Sequence, residues 1–174
     1  MPNHVRTVVK FKNIKNKKEM DSIMEKISTK DKNGEQTIDF SKIIPEPKSK
    51  AECPKKYIAN ENSGIEIRKE KPWFNWYDWN CDFWGTKWNS YDGYSFVDNN
   101  SLLFVFSTAW SPAKPIFKKL AKLGYDLEIM YADEDIGCNC GRIVYTNENE
   151  EWTEQTEDEL EDSEKFALWL WNRY

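Results

Sequence analysis

Apolar and polar positions along the chain follow two periods. His4–Phe11 alternates, with Thr7, Val9 and Phe11 on one face and Arg6, Val8 and Lys10 on the other, which predicts a strand. Residues 13–16 form a turn. Asn16 is placed to cap a helix and Glu19, three residues on, completes a capping box. Met20, Ile23, Met24 and Ile27 follow at helical spacing and make one apolar stripe. Residues 30–34 are a polar loop. Residues 37–44 predict a short strand with Ile38 and Phe40 on one face, stopped by Pro45 and Pro47. Residues 48–63 are lysine-rich connection with room for one helical turn, and 64–71 follow neither period.

The densest apolar stretch comes next. Nine of the nineteen residues from Trp73 to Tyr91 are aromatic. Pro72 suits the first turn of a helix and Gly85 its end, so the pattern predicts an aromatic helix over residues 73–84. Asp92-Gly93 and Asn99-Asn100 read as turns. Residues 102–106 are apolar on both faces, as in a central strand. Ser111-Pro112 predicts a helix start, with Ile116, Phe117, Leu120 and Ala121 inward, three lysines outward and Gly124 at its end. Residues 126–132 and 142–146 are strands that should pair as a hairpin around a tight acidic loop. Residues 147–164 read as a loop. Thr156 and Glu159 are placed to cap a last helix, whose Phe166, Trp169, Leu170, Trp171 and Tyr174 should dock on the body.

This order predicts an α+β fold of ferredoxin-like type, a β-α-β sandwich with helices on one sheet face. It carries an inserted aromatic helix and an extra C-terminal helix. The expected organisation is one domain over 1–174. A first half would span 1–47, the insertion 48–100, a second half 101–146, and an acidic segment with the final helix 147–174.

Composition narrows the picture. Hydrophobic residues are 39% and charged residues 32%, but 26 aromatic rings can fill a core short of aliphatics. Net charge is −5, distributed unevenly. Residues 1–75 hold 17 Lys/Arg against 11 Asp/Glu, and residues 147–164 hold ten acids and no base. That excludes a uniformly basic nucleic-acid binder and leaves a dipolar molecule. No leader-like apolar core or membrane-length run is evident, so a soluble, cytoplasmic protein with reduced cysteines is expected.

Five segments together resemble the YubB ferredoxin-like domain family: MPNHV at the start, IDFSKIIPEP at 38–47, WGTKWNSYD at 84–92, TAWSPAKP at 108–115 and YADEDIGCNCG at 131–141. The resemblance implies a ferredoxin-like core in a protein carried by phages, plasmids or bacterial genomes, and therefore a bacterial host cell. It brings no reaction, substrate or catalytic residue. The last 30 residues and the aromatic excess at 73–83 lie outside it.

Within the shared segments, Gly85–Trp88, Thr108–Ser111 and Asp133–Cys140 fall at element ends, where loops converge into sites. Pooled, the shared segments hold Trp84, Thr86, Lys87, Trp88, Trp110, Ser111, Asp133, Glu134, Asp135 and Cys140. One reading is a polar-ligand pocket in which the tryptophans stack and Lys87 and the acids orient the ligand. The other, which packing and capping favour, is mutual fastening, with Lys87 neutralising an acid and Ser111 capping a helix. For catalysis the candidates are Asp133 and Asp135, as a like-charge pair with one raised carboxyl pKa, and Cys140 as a nucleophile with His4, the single histidine. Strand-head hydrogen bonding accounts for His4 more simply. Cys53, Cys81, Cys138 and Cys140 could form a four-thiolate zinc site, but the C-x-C spacing is unusual for one, and neither metal nor cofactor is expected. Phe104 and Phe106 sit where RNA-recognition modules carry stacking rings. The module's signature is missing, both faces of that strand look buried, and direct nucleic-acid binding is not expected.

The leading expectation is a mobile-element accessory protein that binds a host or element protein. Its acidic segment would compete for a basic groove in a host defence or nuclease complex. The alternative is an enzyme or small-ligand domain with its site at the Trp88/Trp110/Asp133–Asp135 loops.

Overall fold

The computed structural model describes residues 2–31, 33–59 and 68–174. The chain forms strand β1 (His4–Phe11), helix α1 (Lys17–Ile27), strands β2 (Ser28–Lys30) and β3 (Gln36–Ile38), and helices α2 (Phe40–Ile43) and α3 (Trp76–Phe83). Strands β4 (Tyr91–Asp98) and β5 (Ser101–Ala109), helix α4 (Lys114–Lys122) and strands β6 (Leu127–Asp133), β7 (Gly141–Thr146) and β8 (Glu151–Thr156) follow, and helix α5 (Ser163–Arg173) ends the fold. A 3-10 turn at Lys55–Tyr57 precedes α3. The stretch at 64–71 that follows neither period lies outside the described residues as far as 67.

One six-stranded antiparallel sheet runs β4-β5-β1-β6-β7-β8, and β2 and β3 form a separate hairpin. Its first four strands with α1 and α4 make β-α-β-β-α-β in spatial order β4-β5-β1-β6, the ferredoxin-like arrangement. The fold is α+β and ferredoxin-like. Residues 28–90 are inserted between α1 and β4, and β7, β8 and α5 are added after β6.

The alternation of β1 decides what lies on each face. Val5, Val9 and Phe11 join Phe104, Phe106, Ile129 and Tyr131 under α1 and α4. The insertion feeds the same core through Phe40, Trp76, Trp79 and Trp84; Phe40 meets Phe106 edge-on at 5.7 Å and Trp84 at 5.9 Å. On the other face Val8, Leu103, Val105 and Ala132 pack with Ala167 and Leu170 of α5. The helices are therefore not confined to one face, because α5 carries its own small apolar stripe. β5 is buried along its whole length, as a strand apolar on both faces should be.

Several elements differ from the pattern, each for a local reason. Within 37–44, Asp39 accepts from the Ser41 amide and hydroxyl and starts a helical turn, so only β3 and α2 form there. The second strand of the core is instead β4. The aromatic helix begins at Trp76, because Asn75 takes the Asp78 amide as its cap; Pro72 lies outside it. Helix α4 starts at Lys114 with a proline in its first turn, and Ser111 caps nothing. Residues 147–164 hold edge strand β8, and the last helix is capped by Asp162 rather than Thr156. Asn16 caps α1 as the sequence indicates, while Glu19 reaches back to the Lys15 amide.

Candidate functional site

Four of the five shared segments meet at the end of the sheet where β1 starts and β5 and β6 finish. Val5 pairs with both Thr108 and Asp133 there. Three loops leave this end: 84–90 before β4, 110–113 after β5 and 134–140 after β6.

The first loop is pinned from below. Buried Asn80 of α3 donates from Nδ2 to the Lys87 carbonyl at 2.9 Å, and its main-chain carbonyl takes the amides of Trp84 and Gly85. Gly85 has φ +78°, and a Cβ there would stand 2.6 Å from Pro115, so only glycine fits. The Thr86 hydroxyl is buried and donates to the Ala109 carbonyl while accepting its amide. Ser111 Oγ donates to the Gly85 carbonyl at 2.6 Å. Thr86 and Ser111 are thus spent on joining two loops. Trp84 is buried, with its indole N–H on the Ile44 carbonyl, and belongs to the scaffold.

The acidic turn is also turned inward. Asp133 is 5% exposed, and its carboxylate accepts from the Asp135 amide (2.9 Å), Asn3 Nδ2 (3.2 Å) and Asn139 Nδ2 (3.2 Å). Its carbonyl takes the Trp171 indole N–H of α5. Glu134 exchanges two bonds with His4: its amide donates to the His4 carbonyl and its carboxylate accepts from the His4 amide, each at 2.9 Å. These contacts give Asp133 amide partners instead of a neighbouring carboxyl, while Asp135 stays exposed. His4 Nδ1 meets the Tyr91 hydroxyl at 2.7 Å, and that phenol donates to the Thr108 carbonyl. Burial pushes Tyr91 up to about 12, helped by the charges of Asp92 and Glu134.

Above this network lie rings. Trp110 holds φ +69° and is 43% exposed; its amide donates to the Asn3 carbonyl and its carbonyl accepts from Asn139 Nδ2. Trp88 is 36% exposed. The Lys87 ammonium lies 4.9 Å from the Trp88 ring, 5.1 Å from Trp110 and 5.9 Å from Tyr77 of α3, and Tyr77 meets Trp110 edge-on. Lys87 makes no ion pair among the described residues; three ring faces hold its charge where an acid was expected.

The cysteines stand apart from this platform. Cys140 is fully buried, and burial first, then the charges of Glu157 and Cys138, pushes its thiol up to about 11. A group so placed remains a thiol at neutral pH and meets no substrate, which argues against a nucleophile. Cys138 is exposed, Cys53 is buried and Cys81 half-buried, and burial raises the last two. Among the described residues no three His, Cys, Asp or Glu side chains gather to hold a metal. No described helix is long and apolar enough to cross a membrane.

Lys87, Trp88, Trp110 and the acidic turn are therefore neighbours. The residues missed from sequence are Tyr77, Asn3, Asn139, Tyr91 and Trp171. Asn3, Asn139 and Tyr91 lie inside the shared segments, and that placement was the available signal. Tyr77 and Trp171 lie outside them; the apolar end of the last helix marked Trp171 for docking, and Tyr77 gave no signal.

No curated protein and no solved structure matches the chain. Residues 83–168, just under half of it, match the family model described as a ferredoxin-like domain in Api92-like protein. The matched span runs from the end of α3 through β4, β5, α4 and β6–β8 into α5, so it takes in the three loops, edge strand β8 and the first half of the last helix. Over this span the chain is similar to that ferredoxin-like domain.

Proposed function

We propose that the protein works by binding another macromolecule through the Trp88–Lys87–Trp110 platform. The observation that carries this is Trp110. A tryptophan in the left-handed region carries backbone strain, yet its amide and carbonyl are both fastened and its ring is left in water. A large indole held rigid and exposed, beside a second one and a cation, is the composition of an interface hot spot. The hydroxyls and the buried acid that a small-ligand pocket would use are occupied by the protein itself, which weighs against the enzyme reading.

The resemblance to the YubB family supports the finer form of the proposal. The protein would be a phage- or plasmid-borne accessory protein in the bacterial cytoplasm. Its partner would be a host or element protein, with a defence or nuclease complex the first to test. The acids of 147–164 would add charge complementarity to a basic partner surface.

Tagged protein drawn through a bacterial lysate should retain a stoichiometric partner. With that partner purified, Trp88→Ala should weaken affinity by about 30-fold, the size of a central hot spot. Trp88→Ala and Trp110→Gly binding as tightly as the parent would refute the platform. No partner, with thermal stabilisation by a metabolite that Lys87→Ala abolishes, would establish the small-ligand reading instead.

A further inference from the structure

The added hairpin β7–β8 carries the sheet beyond the cover of α4. Register places Phe11, Leu127, Tyr145 and Trp152 in one row across β1, β6, β7 and β8. The first two are buried in the core, and the last two are only partly covered. Between them and the end of α4 runs a groove of about 310 Å³, lined by Lys118, Ala121, Lys122, Tyr145 and Trp152. It lies at the opposite end of the strands from the Trp88–Trp110 platform, since Val5 pairs with Asp133 there and Phe11 with Leu127 here.

Each wall has a distinct chemistry. Tyr145 and Trp152 give two ring faces, 6.3 Å apart and inclined at 52°. Ala121, small and buried, leaves the space that a larger side chain would fill. Lys118 and Lys122 stand exposed on the helix, and the Lys118 ammonium lies 5.8 Å from the Trp152 ring. Among the described residues neither lysine has a carboxylate partner. Glu154, two residues from Trp152 on the same side of β8, is already taken by Lys114 at 2.5 Å and by the Tyr131 hydroxyl at 3.1 Å. In a chain of net charge −5, this leaves an apolar, ring-floored groove with two uncompensated ammonium groups at its rim.

We infer that this groove binds a small anionic ligand with a flat aromatic body, its ring on Trp152 and Tyr145 and its carboxylate or phosphate between Lys118 and Lys122. The volume is at the low end for ligand sites, so one or two fused rings fit and a long chain does not. Ring stacking supplies the apolar contact, and the charge selects among flat ligands.

2-Naphthoate is the probe, and its neutral carboxamide the control. Amide and indole proton–nitrogen spectra of the whole chain report the location, with the Trp152 indole assigned through Trp152→Phe. 2-Naphthoate should shift the Trp152 indole and the amides of 118–122 saturably, and the carboxamide should bind about tenfold more weakly. Lys118→Gln/Lys122→Gln alters only exposed side chains and should keep the melting temperature while losing about the same factor. Equal binding of acid and amide, an unchanged affinity in the double variant, shifts centred on Trp88 and Trp110, or a response to an acidic peptide but not to 2-naphthoate would each overturn the assignment.

Discussion

The strain at Trp110 can be measured with two substitutions that remove the same ring. Trp110→Ala keeps a Cβ at φ +69°, and Trp110→Gly does not. Both lose the covered part of the indole and its contacts with Tyr77 and Lys87, so those losses cancel in the comparison. What remains is the backbone. The left-handed region costs a residue with a Cβ about 1–2 kcal/mol, and glycine gives back roughly 0.5–1 kcal/mol through its freer unfolded chain. The glycine variant should therefore be the more stable by about 0.5–1 kcal/mol, the reverse of the usual order of alanine over glycine. With a urea slope of about 1–3 kcal/mol/M, the midpoints should separate by about 0.2–1 M at equal slope. A Trp110→Ala midpoint equal to or above that of Trp110→Gly would refute the reasoning, because the left-handed backbone would then cost no more than the freer unfolded chain of glycine offsets. Both variants should lose the partner.

Three further outcomes follow from the buried and paired groups. Asp133→Ala leaves the Asp135, Asn3 and Asn139 donors without their acceptor and should destabilise by about 3 kcal/mol, read as a melting temperature lower by about 6–12 °C; Asp133→Asn, which keeps one acceptor oxygen, should lose less. At pH 8 a thiol reagent should modify exposed Cys138 quickly and Cys140 only on unfolding, because burial holds the Cys140 thiol protonated up to about 11. Asp126 sits below its ordinary value of 3.8 because Asn13 and the Asn147 amide donate to its carboxylate. A lowered folded pKa gives stability that is present above the unfolded value and lost as pH falls through the folded one; the urea midpoint of the parent should therefore exceed that of Asp126→Asn at pH 5 and approach it towards pH 2.

Elements with one dominant period were legible: β1, α1, β5 and the pairing of β6 with β7. β4 was not, although its signal is in the sequence. Asp92-Gly93 does mark a backbone irregularity, but it is a bulge inside a strand, where Asp92 has φ +47° and the register shifts between Tyr91 and Tyr94. A Cβ on Gly93 would collide with Thr37, so the glycine lets the β2–β3 hairpin lie against the edge of β4 and cover it. That contact is tertiary, and nothing within eight residues of Gly93 announces it. β8 was hidden for the opposite reason. Glu151, Glu154 and Gln155 look like solvated linker, and only pairing with β7 makes them a strand, with Trp152 opposite Tyr145.

The convergence of the three loops was legible because their residues end regular elements, but the direction of each side chain was not. Chemistry that looks reactive in one dimension is consumed in three: Asp133 by amides, Thr86 and Ser111 by carbonyls. This has a consequence for the platform. Asn3 and Asn139 hold the two sides of the Trp110 backbone, and both also donate to Asp133. One buried carboxylate therefore sets the position of an exposed indole without touching it. A rigid contact residue loses little freedom on binding, and preorganisation of this kind raises affinity without adding a contact. Asp133→Asn should then weaken the partner through lost rigidity, with the Trp110 indole more mobile in the free protein, whereas Trp88→Ala should weaken it with the Trp110 indole unchanged. Measuring indole relaxation in both variants separates support from contact. Equal mobility of Trp110 in the parent and Asp133→Asn would show that the acidic turn plays no part in the platform.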